Sequence, residues 1–203
     1  MPKREGGFGQ AEILSTEQLR DLTNYLPAGQ HKVIASVMTF SSCRVSECLK
    51  LKWKNVSGSH ITFIAPDTKT KQTRSFAIHP TLQNILSEWA KEWPFYPLKN
   101  QSNIRMKGED PKPDDFLFKG KKKGTHLTRQ CFDNQLRKAF RLMLISGAST
   151  HSFRRTGLTA AKNSGMPLAD IKAVSGHTSL EALQRYLQTS EQEKEKVVNC
   201  FGY

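Results

Sequence analysis

The sequence has no long apolar run. Its longest apolar stretches, Val33 to Phe40 and Leu142 to Ile145, fall far short of the roughly 20 residues a bilayer-spanning helix requires. The start, Met1-Pro2-Lys3-Arg4-Glu5-Gly6-Gly7, leads into no apolar core of the secretory type. Cysteine is scarce: Cys43, Cys48, Cys131 and Cys200 show neither metal-ligand pair spacing nor a dense disulfide pattern. A zinc site from Cys43, Cys48 and His60 would fit no standard spacing. The expectation is therefore reduced thiols in a cytoplasm, with no metal and no cofactor. Grouped carboxylates are lacking too. Glu109-Asp110 and Asp114-Asp115 are broken up by Pro111 and Pro113 in what reads as a loop. That argues against a two-metal nuclease, whose cleavage would be sensitive to EDTA.

What the chain has in excess is positive charge. Across 203 residues, 31 Lys+Arg against 18 Asp+Glu give a formal +13, which favours a polyanionic partner: DNA, RNA or an acidic membrane surface. An apolar fraction of 37% and a charged fraction of 24% are those of a folded chain rather than a disordered one.

Periodicity predicts a mainly α fold with a small antiparallel β-sheet (α+β). Residues 1–12 read as a loose tail. Ser15-Thr16-Glu17-Gln18 has capping-box spacing and opens a helix to about Leu26. Helices follow over about Lys32–Phe40 and Arg44–Leu51. From Val56 the pattern changes: Ser57-Gly58-Ser59 is turn chemistry, and Ile61 and Phe63 alternate with Thr62 and Ile64. Ser75 to Ile78 alternates again, giving two or three strands with basic turns projecting into solvent. Pro80 can start a helix running to about Trp93. Residues 94–115 carry Pro94, Pro97, Pro111 and Pro113 and read as a long loop. Thr128 caps a helix to about Leu144, and four more helices are expected at about 151–164, 168–175, 179–188 and 191–200.

The chemistry-bearing residues are dispersed, and each has an ordinary explanation taken singly. His151 and Arg154 are spaced i, i+3, so on a helix both can converge on one small anion while Phe153 turns to the core. Arg44 falls in the first turn of its helix, where backbone N–H groups already favour an anion. Glu47, again at i+3, can hold the guanidinium in position. Lys69, Lys71 and Arg74 load one turn with cations, the pattern of a solvated or DNA-contacting turn. A lysine there can also serve as a proton donor. Thr178 and Glu181 are spaced as a capping box, placing His177 just before a helix that carries Tyr186. A straight helix would separate His177 and Tyr186 by roughly 12–13 Å along its axis. They can meet at one phosphate only if the helix breaks or the side chains lean together. Otherwise Tyr186 serves a neighbouring subunit.

Taken in order, Cys43-Arg44-Val45-Ser46-Glu47, the hairpin Lys69, His151-x-x-Arg154 and Gly176-His177, with Tyr186 nine residues after the histidine, resemble the tyrosine recombinase (phage integrase) family. The resemblance covers about residues 14 to 190 and extends to small stand-alone members such as the fimbrial-switch invertases. It implies a site-specific DNA recombinase that cuts and rejoins strands through a 3′-phosphotyrosine. In that scheme Arg44 and Arg154 clamp the scissile phosphate, and Lys69 protonates the departing 5′-oxygen. His151 accepts the Tyr186 proton, His177 donates a hydrogen bond to the phosphate, and Tyr186 is the nucleophile. Glu47 supports Arg44, and Lys71, Lys121, Lys122, Lys123, Arg129 and Arg155 are candidate DNA contacts.

Further implications are double-stranded DNA as partner, a homo-tetramer on paired sites, an accessory DNA-bending protein, no membrane, and a nucleoid-associated cytoplasmic location. Only 43 residues precede Arg44, so the chain is expected to be a single catalytic domain, residues 1–203, without the extra N-terminal DNA-binding domain most members carry. Residues 190–203 are expected either to dock on a neighbouring protomer or to fold back on their own core. Two departures stand out: Arg155 occupies the place of a frequent second histidine, and Ser175 that of a more usual leucine. Whether Lys69 or Lys71 is the acid stays open. So do two other functions, a type IB topoisomerase-like enzyme and a non-catalytic DNA-binding relative.

Overall fold

The computed structural model describes residues 10–93 and 111–187, together with Glu195, Val198 and Asn199. Eight helices and three strands occur among them: α1 (Thr16–Tyr25), α2 (Gln30–Ser41), α3 (Val45–Leu49), β1 (Val56–Ser57), β2 (His60–Phe63), β3 (Arg74–Ala77), α4 (Pro80–Glu92), α5 (Arg129–Leu142), α6 (Thr150–Asn163), α7 (Leu168–Ser175) and α8 (Leu180–Gln184). The mainly α expectation with one small antiparallel sheet holds. Most of the expected 94–115 loop, the 191–200 helix and the 190–203 docking segment fall outside the described residues.

Local chemistry explains most helix starts. Ser15 accepts from the Gln18 N–H at 3.1 Å while the Gln18 side chain accepts from the Ser15 N–H at 2.9 Å, so two orphan donors are satisfied reciprocally. Thr128 caps α5 through the Cys131 N–H, and Pro80 supplies the first turn of α4. The expected loose tail stops short of residues 11 and 12. The Glu12 N–H donates to the Gly147 carbonyl at 3.1 Å, and the Leu14 N–H donates to Thr156 Oγ1 at 2.9 Å.

The sheet runs β1-β2-β3, antiparallel throughout, with Ile61 opposite Phe76 and Phe63 opposite Arg74. Burial alternates along β2, with Ile61 and Phe63 inward. One large core, built from α1 to α5 and the sheet, includes Leu22, Ile34, Met38, Leu49, Phe118, Phe132 and Phe153. A smaller cluster of Leu158, Ile171 and Leu183 ties α6, α7 and α8 together, with Tyr186 packed on its edge. α6 joins the two. At Gly157 it approaches the end of α2 so closely that a Cβ would collide with the Ser42 hydroxyl.

Candidate active site

Six of the expected residues meet where α3, α6 and the α7–α8 turn converge. Arg44 is the N-cap of α3, just ahead of the first turn in which it was expected. Its Nη1 donates to Glu47 Oε1 at 2.9 Å, and its backbone N–H donates to Oε2 at 3.1 Å. Glu47 is fully buried, and Arg74 Nη2 donates to the same Oε2 at 2.5 Å. Burial raises the carboxyl pKa, but pairing with Arg74 and then Arg44 outweighs it and leaves the value lowered.

Arg154 is 1% exposed and is positioned by carbonyls instead of a carboxylate. Its Nη1 donates to the Ser42 carbonyl and its Nη2 to the Ser175 carbonyl, both at 2.8 Å. Ser42 presents that carbonyl because it ends α2 in the left-handed region, at φ 49°. Burial, followed by the charge of Arg44, lowers the Arg154 pKa to about 10, so the group stays cationic at neutral pH. Three guanidinium groups therefore surround a single buried carboxylate, and the net positive charge left over is that of an anion site.

His177 follows Gly176, which ends α7 at φ 66°. The imidazole is buried; that burial, then Arg154, Arg44 and Arg74, pushes its pKa down to about 3. His151 lies on the exposed first turn of α6. Partial burial of its ring, then Arg129, Arg154 and Arg44, lowers its pKa as well, leaving a neutral imidazole able to take a proton.

Tyr186 reaches this cluster within its own chain because α8 is short. Ser179, not Thr178, caps it through the Ala182 N–H, and Glu181 pairs with Arg185 instead of closing a capping box. The helix ends at Gln184 and tightens, with the Tyr186 N–H donating to the Leu183 carbonyl three residues back at 2.8 Å. The Tyr186 ring centre then lies 5.0 Å from that of His177 and 6.3 Å from that of His151, with Arg154 Cζ 5.5 Å away. A cleft of about 340 Å³, lined in part by Ser149, His151, Arg155 and Tyr186, opens beside it.

The other expected residues stand apart from this cluster. Lys69 and Lys71 are exposed on the β2–β3 connection. Thr68 pins that turn: its hydroxyl lies within hydrogen-bonding distance of Ala65 and Gln72 carbonyls and accepts the Gln72 N–H at 3.1 Å. Lys121, Lys122 and Lys123 are exposed on the turn closed by the Lys119–His126 bridge. Arg129 is ion-paired with Asp133, and Arg155 donates to the Ala11 carbonyl at 2.6 Å, so its guanidinium anchors the N-terminal segment.

Arg74 was expected among the solvated turn cations. It is instead buried, stacked 4.6 Å from the centre of the Phe63 ring and packed under Gly176. Its phase was a readable sign: it alternates with Phe76 and Ile78, not with Ser75 and Ala77.

Residues 12–193 match the Phage integrase family. The chain belongs to that family. Among its curated relatives is a putative integrase/recombinase y4qK of Sinorhizobium fredii, 24% identical over 177 residues, covering 87% of this chain and 52% of the relative. Tyrosine recombinase XerC of Rickettsia bellii is 25% identical over 162 residues, covering 79% and 48%. This integrase-family chain thus spans about half the length of those relatives. Its fold is that of XerH site-specific recombinase in a post-cleavage complex with palindromic difH substrate, at TM-score 0.71, 20% identity and coverage of 93% and 52%. It is also that of the catalytic domain of bacteriophage HP1 integrase, at TM-score 0.60, 19% identity and coverage of 94% and 95%.

Two outcomes follow from the site's construction. Gly176→Ala places a side chain at positive φ and within 3.0 Å of Arg74 Nη1. It should cost about 1–2 kcal/mol and lower Tm by roughly 2–8 °C in calorimetry. The second concerns pH. Because folding depresses the His177 pKa to about 3, the unfolded chain binds a proton below pH ~6.5 that the native site does not. Its contribution to stability is present above that pH and is lost as pH falls toward 3, by about 2 kcal/mol at pH 5. His177→Gln should flatten that part of the denaturation-versus-pH curve, and parallel curves would refute the assignment.

Proposed function

We propose that this protein is a site-specific recombinase that cuts and rejoins double-stranded DNA with Tyr186 as nucleophile, acting in its own chain's active site. The observation that carries this is the arrival of the Tyr186 ring among His177, Arg154 and His151 of the same chain. In the proposed reaction the scissile phosphate takes up the uncompensated positive charge, with Arg44 and Arg154 on its non-bridging oxygens. His151 accepts the Tyr186 proton as the phenolic oxygen attacks phosphorus. The bond to the 5′-oxygen breaks, and a lysine of the β2–β3 turn, Lys69 or Lys71, protonates that leaving group. One phosphate ester replaces another, so a 5′-hydroxyl from a second strand can reverse the step. His177, neutral at working pH, is a hydrogen-bond donor to the phosphate and not an acid.

Exchange between two duplexes involves four strands, which favours a tetramer on paired sites, with an accessory DNA-bending protein as a further partner. No helix among the described residues is long and apolar enough to cross a membrane.

The test is a duplex nicked just beyond a candidate scissile phosphate, incubated without metal ions. The expected result is a protein–DNA adduct that survives denaturation. Tight, salt-sensitive binding without an adduct on any DNA would support a non-catalytic binding module.

A further inference from the structure

We propose that Ser175 is a positioning residue that fixes which nitrogen of His177 carries the proton, so that the imidazole presents Nε2–H to the phosphate. The inference rests on the recombinase reading for its consequence, but its geometry stands independently. Ser175 is 1% exposed at the end of α7, and its Oγ lies 2.8 Å from His177 Nδ1. The hydroxyl has one hydrogen and two acceptors in reach, Nδ1 at 2.8 Å and the Lys172 carbonyl at 3.2 Å. The Lys172 carbonyl already accepts the Gly176 N–H at 2.9 Å, so it is both the farther and the occupied acceptor. The hydroxyl therefore donates to Nδ1, and a neutral ring with Nδ1 engaged as acceptor carries its proton on Nε2.

The competing influence is Arg154. Its Nη2 lies 3.1 Å from Nε2 and 3.3 Å from Nδ1, near enough to both that it does not choose between them. The same Nη2 is held by the Ser175 carbonyl at 2.8 Å. One buried residue thus fixes both phosphate-facing groups, Arg154 through its backbone and His177 through its side chain. A leucine here would keep the first contact and lose the second.

The test uses the full chain with ¹⁵N-labelled histidine, without DNA, at neutral pH. Imidazole nitrogen–carbon-proton correlation spectra report the tautomer, with His177→Asn identifying the signals. Wild type should be in the Nε2–H form. Ser175→Ala should shift the population toward Nδ1–H, and Ser175→Thr, which restores the hydroxyl, should shift it back. In the nicked-duplex assay, Ser175→Ala should form adduct about tenfold more slowly with DNA affinity unchanged, as loss of a residue orienting a functional histidine typically does. A wild-type ring protonated at Nδ1, or a tautomer ratio that Ser175→Ala leaves unchanged, would overturn the proposal. If wild type forms no adduct on any DNA, the recombinase reading fails while the spectra still decide the tautomer.

Discussion

Tyr186→Phe should bind DNA with wild-type affinity, unfold at nearly the wild-type temperature, and form no covalent adduct. The ring belongs to the packing: it sits on the edge of the Leu158, Ile171 and Leu183 cluster and tilts against His177 at 5.0 Å. Phenylalanine keeps that ring and removes the hydroxyl alone, so stability should change by less than about 0.5 kcal/mol. Adduct formation should fall by at least about 10⁴-fold, the scale on which enzymes lose rate when a nucleophile is deleted. Tyr186→Ala would be a poorer test, because it also opens a cavity beside Leu183. An adduct that persists in the Phe variant would assign the nucleophile elsewhere. An adduct recovered by mixing Tyr186→Phe with a chain defective only at Arg154 would show that the tyrosine is shared between protomers.

Much of this arrangement could be read from the residues before any coordinates. The helix starts at Ser15 and Thr128 are local hydrogen-bond chemistry, and local chemistry survives folding unchanged. The spacing of His151 and Arg154 placed both toward one site because a helix fixes that geometry. What escaped was set by tertiary contacts. Thr178 and Ser179 are adjacent hydroxyl residues, either able to cap, and only packing selects Ser179. Ala182-Leu183-Gln184-Arg185 are all good helix formers, so nothing in the sequence announces that α8 stops at Gln184. The stop coincides with Leu183 and Tyr186 docking on the small cluster of α6 and α7, and it removes the axial separation a straight helix would impose. Arg74 escaped for a related reason. A charged residue in an inward strand position is expensive unless a partner waits there, and Glu47 lies 27 residues earlier in the chain.

That buried partnership leads to the second large effect. Glu47→Gln should destabilise the fold by about 3–5 kcal/mol, whereas Arg44→Ala should cost about 1 kcal/mol, though both should abolish strand cleavage. The asymmetry comes from which charges remain. Glu47 is the carboxylate to which Arg44 and Arg74 are both paired, and Arg154 stands close enough for Arg44 to depress its pKa. Neutralising Glu47 leaves the buried Arg74 guanidinium without its counter-charge, and the amide it gains points a donor at one of two cations. Removing Arg44 leaves the Glu47–Arg74 pair intact, with Arg74 Nη2 still on Oε2. The side chain lost is the most exposed of the three, at 15%. Urea denaturation of the two variants measures the difference. In Glu47→Gln, added inorganic phosphate or sulfate should recover part of the lost stability, because an anion there offsets the excess positive charge. Equal losses in the two variants would mean that Glu47 serves Arg44 alone and that Arg74 is a packing residue. A larger loss for Glu47→Gln would make the carboxylate the keystone of the phosphate clamp, with Arg74 holding it from beneath.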